Sequence, residues 1–470
     1  MDEPRAPERL SASDSLLWRI ESDPVLRTPV VVVGLLDRSP TVEGVEATVE
    51  RAAALVPRLR QRLDPPVLGA GRPRWRWADE PSLAYHVRRV RAPGGDLDAV
   101  LALTEPDVVA AFDPARPPWT ITVVDGLDGG RAAVVLRFHH AITDGVGGIE
   151  IADLLFDRER RPRRGPAPAE TLGPADPGAA VPGPPPDPLR WLAAGAAGAR
   201  AAAGAALRPL RTAGAVARLA RSTARTLAPS PGTGSPELTG RSLDRHLAVV
   251  ERPLAGMRAA AAATGGTVND VFVAAVAGAL DAYHRAQGRP VPAVRVTMPI
   301  SVRRPGDPLA GNRFVPARFT LPVDDPDPRA RTRIAGAIVR SWRHEPALAS
   351  TGLLSAGLDL LPRGIATRLF AGMLRAVDVG IVDVPGLDRP AYLGGARLER
   401  LWAFAPSAGA ALTVTLVSHR RKACVGLACD RLAVTDPQLL EACLSDALDE
   451  VIALGAERAT GHAPAGRRTA

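Results

Sequence analysis

The sequence predicts a mixed α/β protein in which two folded halves are joined by a basic connector. Strand and helix patterns alternate from Leu10 to about Leu155 and again from Leu238 to about Ala456, as in packed α/β layers. Residues 157–188 between them are rich in proline, a composition typical of a linker. The predicted organisation is an N-terminal half at 1–156, a connector at 157–237, a C-terminal half at 238–457 and a disordered tail at 458–470.

Local patterns predict the first elements in order. Ser11 to Ile20 has the pattern of a short capped helix, and Pro29 to Leu36 (PVVVVGLL) that of a buried strand. The apolar spacing from Val42 to Leu63 predicts a helix. Trp119 to Val124 and Ala132 to Phe138 predict the two strands of a hairpin around a glycine-rich turn.

The positive charge of the chain is concentrated in one segment. The formal net charge is +9, and residues 158–229 hold twelve arginines against four acidic residues, so almost all of the excess lies there. That segment has one aromatic residue, Trp191. A surface for single-stranded nucleic acid interleaves stacking rings with its basic groups. The sequence therefore indicates no nucleic-acid partner.

Cysteine usage and the chain start indicate a cytoplasmic protein. The three cysteines, Cys424, Cys429 and Cys443, form no CxxC pattern and no disulfide framework, which favours a reducing compartment. The first residues, MDEPRAPERLSASD, are polar and mixed in charge, unlike a secretory signal. No apolar run reaches about 18 residues, so no membrane-spanning helix is predicted. Attachment to a membrane surface stays open.

The main candidate for chemistry is the segment His139-His140-Ala141-Ile142-Thr143-Asp144-Gly145, directly after the predicted strand. Neighbouring strand residues point to opposite faces, so the two histidines are badly placed to share a metal ion. We expect one imidazole to face a cleft while the other packs behind it. An imidazole can act as a general base near neutral pH because its unperturbed pKa is about 6.5.

Asp144 has two roles open to it: a hydrogen bond to that ring, or fixation of the loop through an arginine. Asp-Gly is itself a turn sequence, which favours the second role. The sequence has neither a GxSxG nucleophile elbow nor a cysteine in an activating context. Direct transfer to a deprotonated acceptor therefore requires fewer assumptions than a covalent intermediate.

The segment HHAITDG resembles the HHxxxDG signature of the CoA-dependent acyltransferase superfamily. Further segments follow in family order: VPRLRQRL at 56–63, AFDPARPPW at 111–119, GTVNDVFVAAVAGAL at 266–280, PISVR at 299–303, GNRF at 311–314, and a long match at 383–431. Together they resemble the bacterial wax ester synthase/diacylglycerol acyltransferases over nearly the whole chain outside the connector.

This resemblance implies a fold of two chloramphenicol-acetyltransferase-like domains, with the active site in a tunnel between them and a basic, partly helical linker joining them. It implies transfer of a long-chain acyl group from acyl-CoA to diacylglycerol, or to fatty alcohols, with no metal and no cofactor besides the acyl-CoA co-substrate. His140 resembles the catalytic base, His139 its supporting histidine, Asp144 the structural carboxylate, and Gly145 the residue that lets the loop turn tightly.

Four more residues resemble supporting positions of the site. Asn269 and Asp270 match the family's ND motif, although a helix start capped by Thr267 explains them equally well. Arg303 resembles a motif arginine that would pair with Asp144 across the two halves. Trp119 ends the family's Pro-Leu-Trp motif.

The chain departs from the family pattern at two places. It has Pro117-Pro118-Trp119 where the family has Pro-Leu-Trp, and Val382-Asp383 where the family has Ser-Asn before Val-Pro-Gly. A specialised-metabolite or condensation-type acyltransferase therefore stays open as an alternative function. A non-catalytic, membrane-associated lipid-binding protein is the alternative from another class.

The basic segment 189–227 has seven arginines, no acidic residue and apolar residues that include Trp191. It predicts one or two amphipathic helices that would rest on an anionic membrane or lipid-droplet surface, where diacylglycerol resides. The predicted location is the cytoplasm, peripheral on the inner face of the plasma membrane. A solvated arginine-rich linker is the alternative for this segment.

Overall fold

The computed structural model describes residues 8–66, 72–78, 83–161, 234–303, 311–343, 374 and 376–460. The predicted amphipathic helices at 189–227 lie outside the described residues. Both predicted halves belong to one compact unit, formed by Met1–Arg160 and Ala228–Ala470.

The described residues form strands and helices that alternate along the chain. The strands are β1 Glu8–Arg9, β2 Pro29–Leu36, β3 Gln61–Asp64, β4 Arg74–Trp77, β5 Val87–Arg91, β6 Trp119–Asp125, β7 Ala132–His139, β8 Arg245–Pro253, β9 Ala293–Ser301, β10 Phe314–Pro322, β11 Val379–Pro385, β12 Tyr392–Leu393, β13 Ala396–Phe404, β14 Leu412–His419 and β15 Lys422–Asp430. The helices are α1 Ala12–Ile20, α2 Val42–Leu55, α3 Leu83–His86, α4 Leu97–Thr104, α5 Gly145–Leu155, α6 Leu254–Thr264, α7 Val268–Ala286, α8 Pro328–Arg343 and α9 Pro437–Thr460.

Two six-stranded sheets dominate the architecture. The N-terminal sheet has the order β12-β13-β2-β7-β6-β5, and the C-terminal sheet has the order β10-β9-β11-β14-β15-β8. A small sheet, β1-β4-β3, lies in the N-terminal half. Apolar side chains of α6, α7, α8 and α9 pack on the C-terminal sheet, and those of α2 and α5 pack on the N-terminal sheet. The prediction of a mixed α/β fold with two sheet-based halves is confirmed.

The C-terminal half contributes two strands to the N-terminal sheet. Strand β13 pairs antiparallel with β2, and the short β12 extends the same edge. Arg389, just before β12, anchors this crossover, because its guanidinium pairs with Asp153 and donates to the carbonyls of Asp153 and Phe156. The two halves are therefore interlocked through the backbone of a sheet.

A third apolar cluster joins the two sheets face to face. It combines Val31 and Val33 of β2 with Leu247 of β8 and Cys424 of β15, all of which are buried. At Gly426 of β15 an added Cβ would lie 2.4 Å from the carbonyl oxygen of Ala403, so the backbones of β15 and β13 approach closely. Only glycine leaves room for that approach.

The first predicted elements agree with the structure, with one exception. Helix α1 is capped by the Ser11 hydroxyl, β2 has the predicted bounds, and β6 and β7 form the predicted antiparallel hairpin. The predicted helix from Val42 to Leu63 is wrong beyond Leu55. Pro57 lacks an N–H and disfavours helical backbone at the preceding residue, so the chain turns there and continues into β3.

At the C-terminal end, α9 continues to Thr460 and so includes the first three residues of the predicted tail. Residues 461–470 lie outside the described part. None of the described helices is by itself long and apolar enough to cross a membrane. Helices α6 and α7 meet that criterion only as a pair bent by 96°.

Candidate active site

A cavity of about 270 Å³ lies between the two sheets and is lined by both halves of the chain. The N-terminal half contributes the start of β6, the end of β7 and helix α5, while the C-terminal half contributes β9, β10, β11, β13 and β14. Most of the lining side chains are apolar, among them Leu17, Leu136, Phe138, Ile149, Phe314 and Leu401. Such walls suit an acyl chain and exclude water.

The two histidines at the end of β7 point in different directions, as predicted. His140 lines the cavity, whereas His139 is fully buried behind it. The Nδ1 atom of His139 accepts from the backbone N–H of Ala141 at 2.9 Å, so its Nε2 carries the proton that faces the Glu21 carboxylate at 3.1 Å. Burial alone would raise the pKa of Glu21, but hydrogen bonds from His139 and Thr28 hold that pKa below its usual value. His139 thus supports the loop from behind.

The environment of His140 favours the neutral imidazole. Loss of hydration lowers the pKa of His140, and hydrogen bonds to its own carbonyl and to Asn312 oppose that effect without cancelling it. The Nδ1 atom lies 2.8 Å from Oδ1 of Asn312. At neutral pH the ring is therefore in the state that accepts a proton.

Asp144 forms an ion pair with Arg303 across the two halves, as predicted. The Oδ2 to guanidinium distance is 2.8 Å, and both side chains are less than a tenth exposed. The same carboxylate accepts from the backbone N–H of Gly147 at 2.9 Å, which caps α5, and from that of Arg313 at 2.8 Å. Asp144 therefore holds the loop in place, which is the structural role favoured from the sequence.

Gly145 lies close to Val384 of β11. The residue opens helix α5 and is not among the glycines with positive φ, so the expected tight turn is not what demands glycine here. A Cβ at this position would lie 3.0 Å from a methyl carbon of Val384 on β11. A side chain here would therefore crowd Val384, which would have to shift slightly.

The ND motif lies away from the cavity. Asp270 and Thr267 form a capping box, in which the Asp270 carboxylate accepts from the Thr267 N–H at 2.9 Å. Neither Asn269 nor Asp270 is among the residues that line the cavity. The structure therefore gives Asp270 the role of a helix cap, one of the two roles expected from the sequence.

Trp119 does line the cavity. Its indole N–H donates to the carbonyl of Leu59 at 2.8 Å, and its ring stacks on the His86 ring at a centroid distance of 4.1 Å. These contacts fix the Trp119 ring at the cavity wall.

Sequence reasoning did not assign three polar residues of the site. Asn312 was visible only as part of GNRF, and nothing in the sequence marked Asp14 or Glu21. Asp14 is 96% buried and receives a hydrogen bond from the Asn312 amide at 2.6 Å. Its helix, α1, comes from the opposite end of the fold in sequence, so no local pattern connects the two.

Asp383 is an unusual carboxyl group at the edge of the cavity. The residue is exposed, yet loss of hydration raises the pKa of its carboxyl to about 6 against the opposing effect of Arg343. The exposed side chain still loses hydration because its accessible surface borders a cavity walled by protein. Among the described residues, its carboxylate has no hydrogen bond or ion pair. An ionised Asp383 therefore costs stability.

The fold and the cavity histidine together define the class of HHxxxDG acyltransferases. Two family models match the chain: the wax ester synthase/diacylglycerol acyltransferase catalytic domain at residues 10–272, and the WS/DGAT C-terminal domain at residues 310–451. The chain belongs to the wax ester synthase/diacylglycerol acyltransferase family, which confirms the resemblance read from its motifs.

Relatives and solved structures agree with this family. A Mycobacterium tuberculosis H37Rv protein named "Putative diacyglycerol O-acyltransferase" is 34% identical and covers 98% of this chain and 94% of its own length. The wax ester synthase/diacylglycerol acyltransferase of Marinobacter aquaeolei VT8 superposes with a TM-score of 0.61 at 21% identity, covering 95% of this chain and 100% of its own. The first condensation domain of the calcium-dependent antibiotic synthetase superposes at 0.59 with 20% identity, covering 97% of each chain. At these identities the structures show the shared fold, which confirms the predicted fold class.

The ion pair between Asp144 and Arg303 predicts strong energetic coupling. We expect Arg303→Met to lower the free energy of unfolding by about 3–5 kcal/mol, because it leaves a buried carboxylate without its cation. The double variant Asp144→Asn/Arg303→Met should lose less than the sum of the single variants. Chemical denaturation measures all three.

The matched control is Arg285→Met, which breaks a helix-surface pair with Asp281 whose arginine is 57% exposed. That change should cost less than about 1 kcal/mol. Additive effects in the Asp144/Arg303 cycle would contradict a coupled, buried pair.

The raised pKa of Asp383 predicts a pH-dependent gain in stability for Asp383→Asn. Stability of the unsubstituted protein should fall as pH rises from about 4 through about 6, because the folded state holds this proton longer than the unfolded state does. The variant should therefore be more stable at pH 8, by about 1 kcal/mol after allowing for the exposure of the group, and nearly equal at pH 4. Denaturation at the two pH values tests this, with the exposed Asp388→Asn as control. A gain of equal size at both pH values would contradict it.

Proposed function

We propose that this protein transfers a long-chain acyl group from acyl-CoA to the free hydroxyl of diacylglycerol, forming triacylglycerol. The observation that carries the proposal is His140, a neutral imidazole on the wall of a mostly apolar cavity between the two halves. The family match and the name of the mycobacterial relative support the same chemistry.

In the proposed reaction His140 removes the proton from the acceptor hydroxyl while that oxygen attacks the thioester carbonyl. The new ester C–O bond forms, the C–S bond breaks, and the CoA thiolate takes the proton from the imidazolium. Each turnover thus consumes one alcohol and one acyl-CoA and releases one ester and one CoA. The apolar walls keep water from competing as the acceptor.

Asp144 and Arg303 serve this reaction by holding the loop that carries His140. Their ion pair fixes the loop that follows β7, and Gly145 lets β11 pack against that loop. His139 fixes the loop from behind through Glu21. Together these contacts hold His140 in one position, which is what general-base catalysis requires.

Fatty alcohols are the second proposed acceptors, which would yield wax esters. This is supported by the description of both family models and by the name of the Marinobacter structure. A condensation-type reaction has support from the fold alone, because condensation domains superpose at no more than 20% identity. The starter condensation domain of rhizomide synthetase, TM-score 0.59, was solved with C8-CoA and Leu-SNAC, and it is similar to this chain in fold.

We also propose that the protein works in the cytoplasm, on the inner face of the plasma membrane or on a lipid droplet. The support is segment 189–227, with seven arginines, no acidic residue and Trp191 among apolar side chains. Arginines attract anionic lipid headgroups, and apolar side chains enter the interface. Diacylglycerol is insoluble in water, so the enzyme must meet it at such a surface.

The proposed function is tested by offering palmitoyl-CoA to the purified protein with dioleoylglycerol, with hexadecanol, and with neither. We expect CoA release and the matching ester in the first two reactions. His140→Ala should lower turnover by about 100-fold or more, since it removes the general base. His246→Ala, which changes a histidine that does not line the cavity, is the matched control.

Undiminished turnover in folded His140→Ala would contradict its role as the base. Binding of diacylglycerol without any CoA release would favour the non-catalytic, lipid-binding alternative. Amide formation with an aminoacyl thioester in place of an alcohol would favour the condensation-type alternative.

Membrane association predicts that deletion of residues 189–227 abolishes flotation with liposomes that contain phosphatidylglycerol. The full chain should float with these vesicles and sediment with neutral phosphatidylcholine vesicles, and salt should weaken the binding because charge attraction is screened. Equal flotation of the deleted and full-length proteins would contradict the anchor.

A further inference from the structure

Asn312 joins three groups that are far apart in the sequence. Its Nδ2 donates to Oδ1 of Asp14 at 2.6 Å and to the carbonyl oxygen of His140 at 2.8 Å. Its Oδ1 lies 2.8 Å from Nδ1 of His140. All hydrogen-bonding atoms of the amide side chain are therefore engaged.

These partners determine which way the amide faces. The Asp14 carboxylate and the His140 carbonyl can only accept hydrogen bonds, so the NH₂ end of Asn312 has to face them. The oxygen end then faces Nδ1 of His140, and that contact is favourable only when Nδ1 carries the hydrogen. The imidazole is thereby fixed as the Nδ1–H tautomer.

The tautomer decides which ring atom accepts a proton. With the hydrogen on Nδ1, the lone pair of the neutral ring resides on Nε2. Within the described residues Nε2 of His140 has no hydrogen-bond partner, and the ring borders the cavity. A substrate hydroxyl in the cavity therefore meets a ring atom that is free to accept its proton.

We propose that Asn312, itself held by Asp14, is a positioning residue that fixes His140 in the tautomer required of the base. The inference rests on the proposed function, in which His140 removes the acceptor proton. It assigns Asn312 no contact with the substrate. Its effect is on the proton distribution and orientation of the imidazole.

The neighbours of Asn312 keep it in register with the histidine loop. The Gly311 N–H donates to the carbonyl of Ile142 at 3.0 Å, and the Arg313 N–H donates to Asp144 at 2.8 Å. Three consecutive residues of the C-terminal half thus bind three positions of the loop. The Asn312 amide cannot shift without breaking the bonds on either side.

Other charged groups near His140 do not replace this contact. His139 lowers the His140 pKa and Asp144 raises it, both as weaker influences than the Asn312 hydrogen bond. Arg303 pairs with Asp144, and Asp14 reaches the ring only through the Asn312 amide. A hydrogen bond to the backbone carbonyl of His140 itself raises the pKa of the ring, as the Asn312 bond does.

The test compares Asn312→Leu with the swapped pair Asp14→Asn/Asn312→Asp. In Asn312→Leu the ring loses the amide that orients it and keeps only its own carbonyl as an acceptor, so we expect kcat to fall about tenfold or more, with the KM for palmitoyl-CoA within about twofold. The acid limb of the kcat/KM profile should move to lower pH, because the lost bond had favoured the protonated ring.

The swapped pair puts a carboxylate beside Nδ1 and an amide at position 14. It keeps an acceptor for Nδ1–H and stabilises the imidazolium, so it should retain more activity than Asn312→Leu and move the acid limb to higher pH. Gln287→Leu, an amide replaced at a helix end outside the cavity lining, is the matched control.

NMR titration of the His140 ring in the substrate-free protein separates this inference from the proposed function. The ring pKa should fall in Asn312→Leu and rise in the swapped pair, whether or not the protein releases CoA. Absence of CoA release with these titration shifts would overturn the proposed function alone. Unchanged titration and unchanged pH profiles in both variants would overturn the role of Asn312.

Discussion

The site depends on one set of contacts, in which residues 311–313 of the C-terminal half bind the histidine loop at 140–144 of the N-terminal half. Hydrogen bonds join Gly311 to Ile142, Asn312 to His140 and Arg313 to Asp144. The buried pair between Arg303 and Asp144 reinforces them. Because the side chains of Arg303 and Asp144 are buried, each is costly to leave without its partner. Neither half alone contains the complete arrangement.

The architecture explains how this contact is kept in register. Strands β12 and β13 belong to the C-terminal part of the chain but complete the N-terminal sheet, so the two halves cannot separate without breaking a ladder of backbone hydrogen bonds. Strand β11 packs against Gly145. It pairs with β9 at only two positions, so the two strands are free to diverge where they border the cavity. The same interlocked frame therefore supports both the loop and the space beside it.

Much of the fold followed from local sequence. The four consecutive valines at 30–33 and the hairpin around Gly129 predicted strands correctly, and the HHxxxDG spacing placed His140 in a cavity with His139 behind it. The predicted helix from Val42 is wrong beyond Leu55. The apolar spacing continues to Leu63, but Pro57 does not allow the helical backbone to continue. Hydrophobic periodicity shows which face of an element is buried, but it does not show which distant element covers that face. The pairing of β12 and β13 with the N-terminal sheet was therefore not predicted.

The polar part of the site was harder to predict for the same reason. Asn312 is 172 residues from His140 and 298 residues from Asp14, and no spacing rule links such positions. The pair of Arg303 with Asp144 was anticipated only through family resemblance. Asn269 and Asp270 resembled site residues by motif, and Thr267 ahead of them predicted a helix cap equally well. The structure contains a capping box formed by Thr267 and Asp270.

The most direct test of this account is the tautomeric state of His140, measured by ¹⁵N NMR of histidine-labelled protein near neutral pH and without substrate. Contacts across the two halves fix the hydrogen on Nδ1, so the spectrum should show a protonated Nδ1 and a bare Nε2 for this residue. A protonated Nε2 with a bare Nδ1 would contradict the account, because the ring would then present no proton acceptor to the cavity.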